Sequence, residues 1–140
     1  MSVDRAFVDT NVLVYLFDDD APDKKARARE ILASRGSAGQ LVISTQVLQE
    51  FYVAVTRKLL TPLPPEKAYQ AVRDFLGLPL RQVTSDLVLA AIQRSIAIPL
   101  SFWDALIVET ALDAHAGVLL TEDLQHGRII DGLRIENPFL

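Results

Sequence analysis

Cysteine is absent from the 140 residues, which excludes disulfides and thiolate metal sites and suits a reducing compartment such as the cytoplasm. Basic charge is not in surplus either. A net charge of −4 argues against a dedicated nucleic-acid-binding surface, since such surfaces are usually basic. An enzyme that reaches phosphates through metal ions is exempt from that argument, because its site needs carboxylates. No apolar run approaches the roughly 18 residues needed to cross a bilayer, and Met-Ser-Val-Asp-Arg does not read as a signal peptide. Repeats and low-complexity linkers are missing too. What is present is half hydrophobic and 23% charged, which describes a globular chain forming one domain over residues 1–140.

Short apolar runs alternate with helical patterns. Strands are expected at Ala6–Val8, Leu41–Ile43, Leu80–Val83, Val118–Leu120 and Leu133–Ile135. Helices are expected at Asn11–Phe17, at Asp23–Arg35 with Ala26, Ile31 and Leu32 as its apolar positions, and from a Ser44 or Thr45 cap to about Leu60. Further helices are expected at Glu66–Leu76, Ser85–Ile96 and Phe102–Ala116. Continuous apolar strands separated by helices predict an α/β fold, a parallel sheet covered on both faces.

The segment Phe7-Val8-Asp9-Thr10-Asn11-Val12-Leu13 runs a strand straight into a carboxylate. Such an acid stands at the carboxyl edge of the sheet, where open α/β folds hold ligands. Val118-Leu119-Leu120-Thr121-Glu122-Asp123 repeats the arrangement late in the chain. Helical phase adds two more acids. With about 100° per residue over Phe102–Ala116, Asp104 shares a face with Ile107, Val108, Ala111 and Leu112, while Glu109 and Asp113 lie opposite. Glu50 sits beside Val47 and Ala54 at the edge of an apolar arc, where it is partly solvated.

Each acid also has a simpler reading. Asp9 and Asp123 suit helix caps or turns, Ser101 and Asp104 resemble a capping box, and Glu50 suits a rim position. Four carboxylates gathered at one sheet edge would repel one another and raise their own pKa values. Divalent cations relieve that repulsion, and oxygen-only ligands favour Mg²⁺ or Mn²⁺. Other conspicuous residues are assigned lesser roles. His115 reads as a packed or rim residue, and His126, three residues after Asp123, is a secondary candidate for approaching it. Asp18-Asp19-Asp20 reads as a solvated helix end, Lys24, Lys25, Arg27 and Arg29 as an exposed charged face, and Trp103 as a core residue, with the shaping of a groove beside Asp104 as its alternative.

The motifs Val8-Asp9-Thr10-Asn11-Val12-Leu13, Ser44 through Glu50, Asp104-Ala105-Leu106-Ile107 and Leu120-Thr121-Glu122-Asp123-Leu124, with the tail Ile135-Glu136-Asn137-Pro138, together resemble a PIN-domain ribonuclease, and within that family the VapC toxins of type II toxin–antitoxin pairs. That resemblance implies a three-layer α/β/α fold with a parallel sheet of four to five strands. It implies Mg²⁺- or Mn²⁺-dependent endonucleolytic cleavage of RNA by metal-activated water, with Asp9, Glu50, Asp104 and Asp123 as both catalytic acids and metal ligands. Thr10, Asn11 and Thr121 would support them through hydrogen bonds. It also implies a cytoplasmic homodimer held inactive by an antitoxin. Glu122 is a spare carboxylate beside Asp123, and alternation along an extended segment faces the two apart. Arg57, Lys58 and Arg128 are the candidates for RNA contact, alongside their reading as solvated surface charge.

Rival classes fit less well. A haloacid-dehalogenase-like phosphatase needs a second aspartate where Asn11 stands and a lysine before its late acid pair. A response-regulator receiver needs an early acidic pair and a mid-chain phosphoacceptor. The non-enzymatic alternative is a protein–protein interaction module whose acids only cap helices.

Overall fold

The computed structural model describes residues 5–140. Strand β1 (Ala6–Val8) leads into α1 (Thr10–Val14), a 3₁₀ turn (Tyr15–Phe17) and α2 (Pro22–Ile31). Then come β2 (Leu41–Ser44), α3 (Thr45–Arg57), α4 (Pro65–Phe75), β3 (Leu80–Arg81), α5 (Ser85–Ala97) and α6 (Phe102–Asp113). The chain closes with β4 (Val118–Leu120), β5 (Ile129–Ile130) and β6 (Leu133–Glu136).

The strands form one six-stranded sheet in the order β3-β2-β1-β4-β6-β5. Five are mutually parallel, as expected, and only the β5–β6 pair is antiparallel. All residues of β1, β2 and β4 are buried, which is why these strands read as unbroken apolar runs. From β1 the chain steps outward to β2 and β3, then returns across the sheet to β4. With right-handed crossovers, that reversal puts α5 and α6 on the face opposite α1 to α4. Helix pairing agrees, since α3 packs on α1 and α4 while α5 packs on α6. The reversal also opens a crevice between the carboxyl ends of β1 and β4.

Local chemistry sets the element ends. Pro22 and Pro65 open α2 and α4 at positions where a missing N–H costs nothing. Ser44, Thr84 and Ser101 cap α3, α5 and α6 through their hydroxyls. Three expectations need correction. Helix α2 gives way at Leu32 to a π turn, and its inward positions are Ala28 and Ile31, leaving Ala26 exposed. Helix α3 stops at Arg57, short of Leu60. Helix α6 ends at Asp113 because His115 turns left-handed (φ 57°), with His115 N–H donating to the Leu112 carbonyl and Ala116 N–H to Ala111. This is a Schellman ending with histidine in the place glycine usually takes. His115 is therefore exposed and off the Asp104 face. Strand β5 was not anticipated, although Asp131-Gly132, both at positive φ, is the two-residue turn that a tight hairpin requires.

Candidate functional site

Asp9 follows β1 directly at the crevice. Its backbone N–H donates to the Leu120 carbonyl at 3.0 Å, extending the β1–β4 ladder in which Val8 is paired with Leu120. The side chain caps α1, accepting from Thr10 N–H at 2.7 Å on Oδ1, so the cap reading holds for this acid. The other oxygen, Oδ2, accepts from Thr121 Oγ1 at 2.7 Å. Only 6% of Asp9 is exposed. Burial pushes its carboxyl up to about 6, against the Thr121 and Thr10 bonds that favour the ion, and nearby Asp123 and Glu50 push the same way as burial.

The two threonines link Asp9 to the other acids. Thr10 Oγ1 donates to Glu50 Oε1 at 3.0 Å, which orients that half-buried carboxylate from α3. Thr121 Oγ1 accepts from Asp123 N–H at 3.1 Å while donating to Asp9. Asp104 enters from the first turn of α6, where its own N–H is held by Ser101 Oγ at 3.1 Å. One half of the predicted capping box is thus formed, and among the described residues the Asp104 carboxylate makes no return bond. Asp123 is raised first by burial and then by Asp104 and Glu122, while the Asn11 side chain draws it down.

Glu122 points elsewhere. Tyr15 Oη donates to its Oε1, and Lys24 Nζ donates to its Oε2 at 2.7 Å. Burial raises the Glu122 carboxyl, but the Lys24 and Tyr15 bonds outweigh it and leave the group below its usual range. The two acids face apart as expected, Glu122 tied to Lys24 and Asp123 on the cavity, but the segment is a bend and not extended, so strand alternation is not the cause.

That cavity measures about 360 Å³ and brings together Asp9, Glu50, Asp104 and Asp123 with Thr10 and Asn11. Thr121 lies behind Asp9, fully buried. Two polar wall residues escaped the sequence reading, Gln46 and Tyr15, and Asp18, read as part of a solvated helix end, lines the cavity as well. Gln46 lies one turn before Glu50 on α3, so the helical phase that found Asp104 would also have found it. Trp103 is a correction. Instead of joining the core, it is 61% exposed at the cavity wall. Lys24 is another, because its ammonium is engaged by Glu122 and Tyr15 and lies 4.9 Å from the Tyr15 ring centroid. Of the basic candidates Lys58 lines the cavity, whereas Arg57 and Arg128 do not. His126 also stands off the wall, with Nδ1 accepting from Asn137 N–H at 3.0 Å.

The donors fit a hard divalent cation in kind. Asp9, Glu50, Asp104, Asp123 and Thr10 bring oxygens to the cavity, and Asn11 Oδ1 is buried with no hydrogen-bond partner. The acids line the cavity without converging; among the described residues no three Asp, Glu or His side chains are grouped so that they could hold a metal ion by themselves. An open arrangement of this sort suits Mg²⁺, which binds through one or two carboxylates, keeps several waters and uses substrate phosphates for the rest.

The model of the PIN domain family matches residues 6–131. No curated protein matches the sequence. Among solved structures, VapC20 of Mycobacterium tuberculosis, described as a sarcin–ricin loop cleaving toxin, superposes with a TM-score of 0.68 at 22% identity, over 84% of this chain and 89% of that one. The DNA-bound VapBC of Salmonella typhimurium gives 0.66 at 22% identity, over 96% and 98% of the two chains. VapBC2 of Rickettsia felis, bound to a fragment of its promoter, gives 0.65 at 20% identity, over 94% and 96%. At these identities the likeness is one of fold.

Proposed function

The chain belongs to the PIN domain family, and on that premise we propose that it is a divalent-metal-dependent endoribonuclease, the toxin of a toxin–antitoxin pair. One observation carries this reading: acids from β1's end, α3, α6 and the segment after β4 line a single cavity at the switch point of the sheet. Caps alone do not require four acids from four elements to face one cavity. Asp9 and Asp104 are the direct holders of Mg²⁺ or Mn²⁺, with Glu50 and Asp123 completing the acidic quartet. When bound, the cation supplies a Lewis acid that polarises a phosphate oxygen and makes nearby water easier to deprotonate.

The rest of the work falls to the chain. Thr121 and Thr10 N–H fix both Asp9 oxygens, so this carboxylate has no rotational freedom to lose when it engages a ligand. Thr10 holds Glu50 in register with it. Asp123, raised above its usual range, is suited to take a proton from water as the phosphodiester is attacked. Lys58 supplies positive charge on the wall for a phosphate outside the acid cluster. Arg57 and Arg128 would contact RNA only further from the cavity.

The partners follow from the same reading. Two of the similar structures are VapBC assemblies, which supports a cognate antitoxin as partner; a cytoplasmic homodimer of this single domain, with the antitoxin over the cavity, belongs to the same proposal. No helix among the described residues is long and apolar enough to cross a membrane. The decisive experiment is cleavage of end-labelled RNA in Mn²⁺, in EDTA, and with Asp9→Asn. Cleavage confined to the parent protein in Mn²⁺ is expected, with a loss of at least about a thousandfold in Asp9→Asn. Equal cleavage by Asp9→Asn and Asp104→Asn would falsify the assignment.

A further inference from the structure

A second hollow, of about 320 Å³, opens beside the acid cavity and shares Gln46, Glu50, Lys58 and Trp103 with it. Val53 and Gln49 complete its wall. The Trp103 ring is braced edge-on by Phe102, with centroids 5.0 Å apart at 74°, yet most of it is open to solvent. A large aromatic surface left exposed beside charged groups loses the burial energy that a core position would provide.

Gln46 gives the second, independent sign. Its side chain is only 3% exposed, Nε2 donates to the Trp103 carbonyl at 3.2 Å, and Oε1 is buried with no partner at all. A buried acceptor without a donor is costly unless a ligand supplies one. The walls therefore offer a flat aromatic face, an amide on Gln49 and an ammonium on Lys58, and the orphaned Gln46 oxygen lies just beneath them, within reach of a donor after a small turn of its side chain. The one acid among them, Glu50, is engaged by Thr10.

We propose that this hollow is a nucleobase subsite: the base next to the scissile phosphate stacks on Trp103 and turns a polar edge to the Gln46 and Gln49 amides. The inference rests on the ribonuclease reading and deepens it. A phosphate placed at the acids carries a base within one nucleotide's reach, and the shared wall makes this hollow the adjoining space. An apolar side chain from a protein partner would cover Trp103 but leave Gln46 Oε1 orphaned, whereas the exocyclic amine of adenine, cytosine or guanine supplies a donor. Stacking on an aromatic side chain is tolerant of sequence, and the two amides would add a preference for amino-bearing bases.

Trp103 is the chain's only tryptophan, so its fluorescence reports this face alone. The parent protein is titrated with a short single-stranded RNA and with an abasic ribose-phosphate oligomer of equal length, using Ca²⁺ in place of Mn²⁺ to slow turnover. In parallel, kcat and KM are measured in Mn²⁺ for the parent, Trp103→Ala and Trp103→Phe. Quenching by the RNA but not by the abasic oligomer is expected. So is a fall in kcat/KM of roughly 10- to 100-fold in Trp103→Ala, mostly through KM, with partial recovery in Trp103→Phe. Normal cleavage by the parent together with unchanged kinetics in Trp103→Ala overturns the subsite and leaves the nuclease standing. Equal quenching by both oligomers, or no quenching by the RNA, overturns it as well. A parent that cleaves no RNA defeats the nuclease reading, and the base-dependent quench then still decides the subsite by itself.

Discussion

The two sides of the acid cavity are built on opposite plans. On the β1–β4 side, Asp9 is sealed against the sheet, both its oxygens are held by short hydrogen bonds, and burial pushes its carboxyl up to about 6. On the α6 side, Asp104 is half-buried in a first helical turn, capped by Ser101 and flanked by the exposed Trp103. The sealed side holds a charge where water cannot solvate it, which stores a demand for a cation. The open side is where a long, flexible substrate has room to enter. Fixed geometry and access are thus divided between a strand end and a helix end that meet at one crevice.

The sharpest way to break this comparison is Thr121→Val. The hydroxyl is fully buried, donates to Asp9 and accepts from Asp123 N–H. Its loss strands a charged acceptor and a backbone donor together, at a cost of about 2–3 kcal/mol in urea unfolding. Weaker Mn²⁺ binding by about 10- to 100-fold is expected alongside. Thr121→Ser, which keeps the hydroxyl, should recover most of both. A loss under about 0.5 kcal/mol for Thr121→Val would show that the sealed side is not held as described.

Next in size is the pH dependence of Asp9. A carboxyl raised in the folded state binds protons there more tightly than in the unfolded chain, so stability falls as pH rises from about 4 through about 6 and stays low above that. A tenfold difference in proton affinity between the two states is worth about 1.4 kcal/mol. Asp9→Asn removes this penalty while weakening one hydrogen bond. In EDTA at pH 8 it should therefore be more stable than the parent by about 1–2 kcal/mol, an advantage that shrinks as the pH approaches 4. Saturating Mn²⁺ should reverse the ranking, because only the parent gains from it. A variant less stable than the parent at pH 8 in EDTA would mean that Asp9 is not strained by burial.

The same division explains what was legible in the amino-acid string. Strand ends are fixed by register, so Asp9 and Thr121 could be placed from the apolar runs of β1 and β4 alone. Asp104 came from helical phase, because α6 packs along most of its length. Trp103 could not be read this way. Residues in a first turn overhang the edge of the sheet, so an apolar residue there is left without a neighbour to bury it. Gln46 was missed because a lone amide among apolar residues carries no charge to draw notice, although its phase with Glu50 was available. The choice between Glu122 and Asp123 depended on Tyr15 and Lys24, which are 107 and 98 residues away from Glu122 in sequence, and no local pattern reports such pairing. The β5–β6 hairpin has its local signal in Asp131-Gly132, a two-residue turn at positive φ.

The smallest effect tests what holds the loop after β4 on the sealed side. Lys24 bridges Glu122 and Tyr15, and Tyr15 in turn packs edge-on against Phe139 with centroids 4.9 Å apart. Hydrogen bonds to Glu122 and Tyr15 push the Lys24 ammonium up to about 12, so the pair's contribution is present through neutral pH and is lost only as pH rises through that value. At the acid end, Glu122 lies below its usual range, so the contribution fades as pH falls through its lowered folded value. The Lys24 side chain is 41% exposed, and solvent screening limits the pair to about 0.5–1 kcal/mol. Lys24→Met keeps the stem over the Tyr15 ring and removes the charge, so a stability loss near the bottom of that range is expected at pH 7. Activity should respond more than stability does. A Glu122 released from Lys24 is free to swing toward the cavity beside Asp123, adding a like charge to the acids there. The variant should then show a higher Mn²⁺ requirement, read as a rightward displacement of the metal-activation curve, and the double variant Lys24→Met, Glu122→Gln should bring it back. A curve unmoved in Lys24→Met would show that the loop after β4 holds Asp123 in place without help from α2.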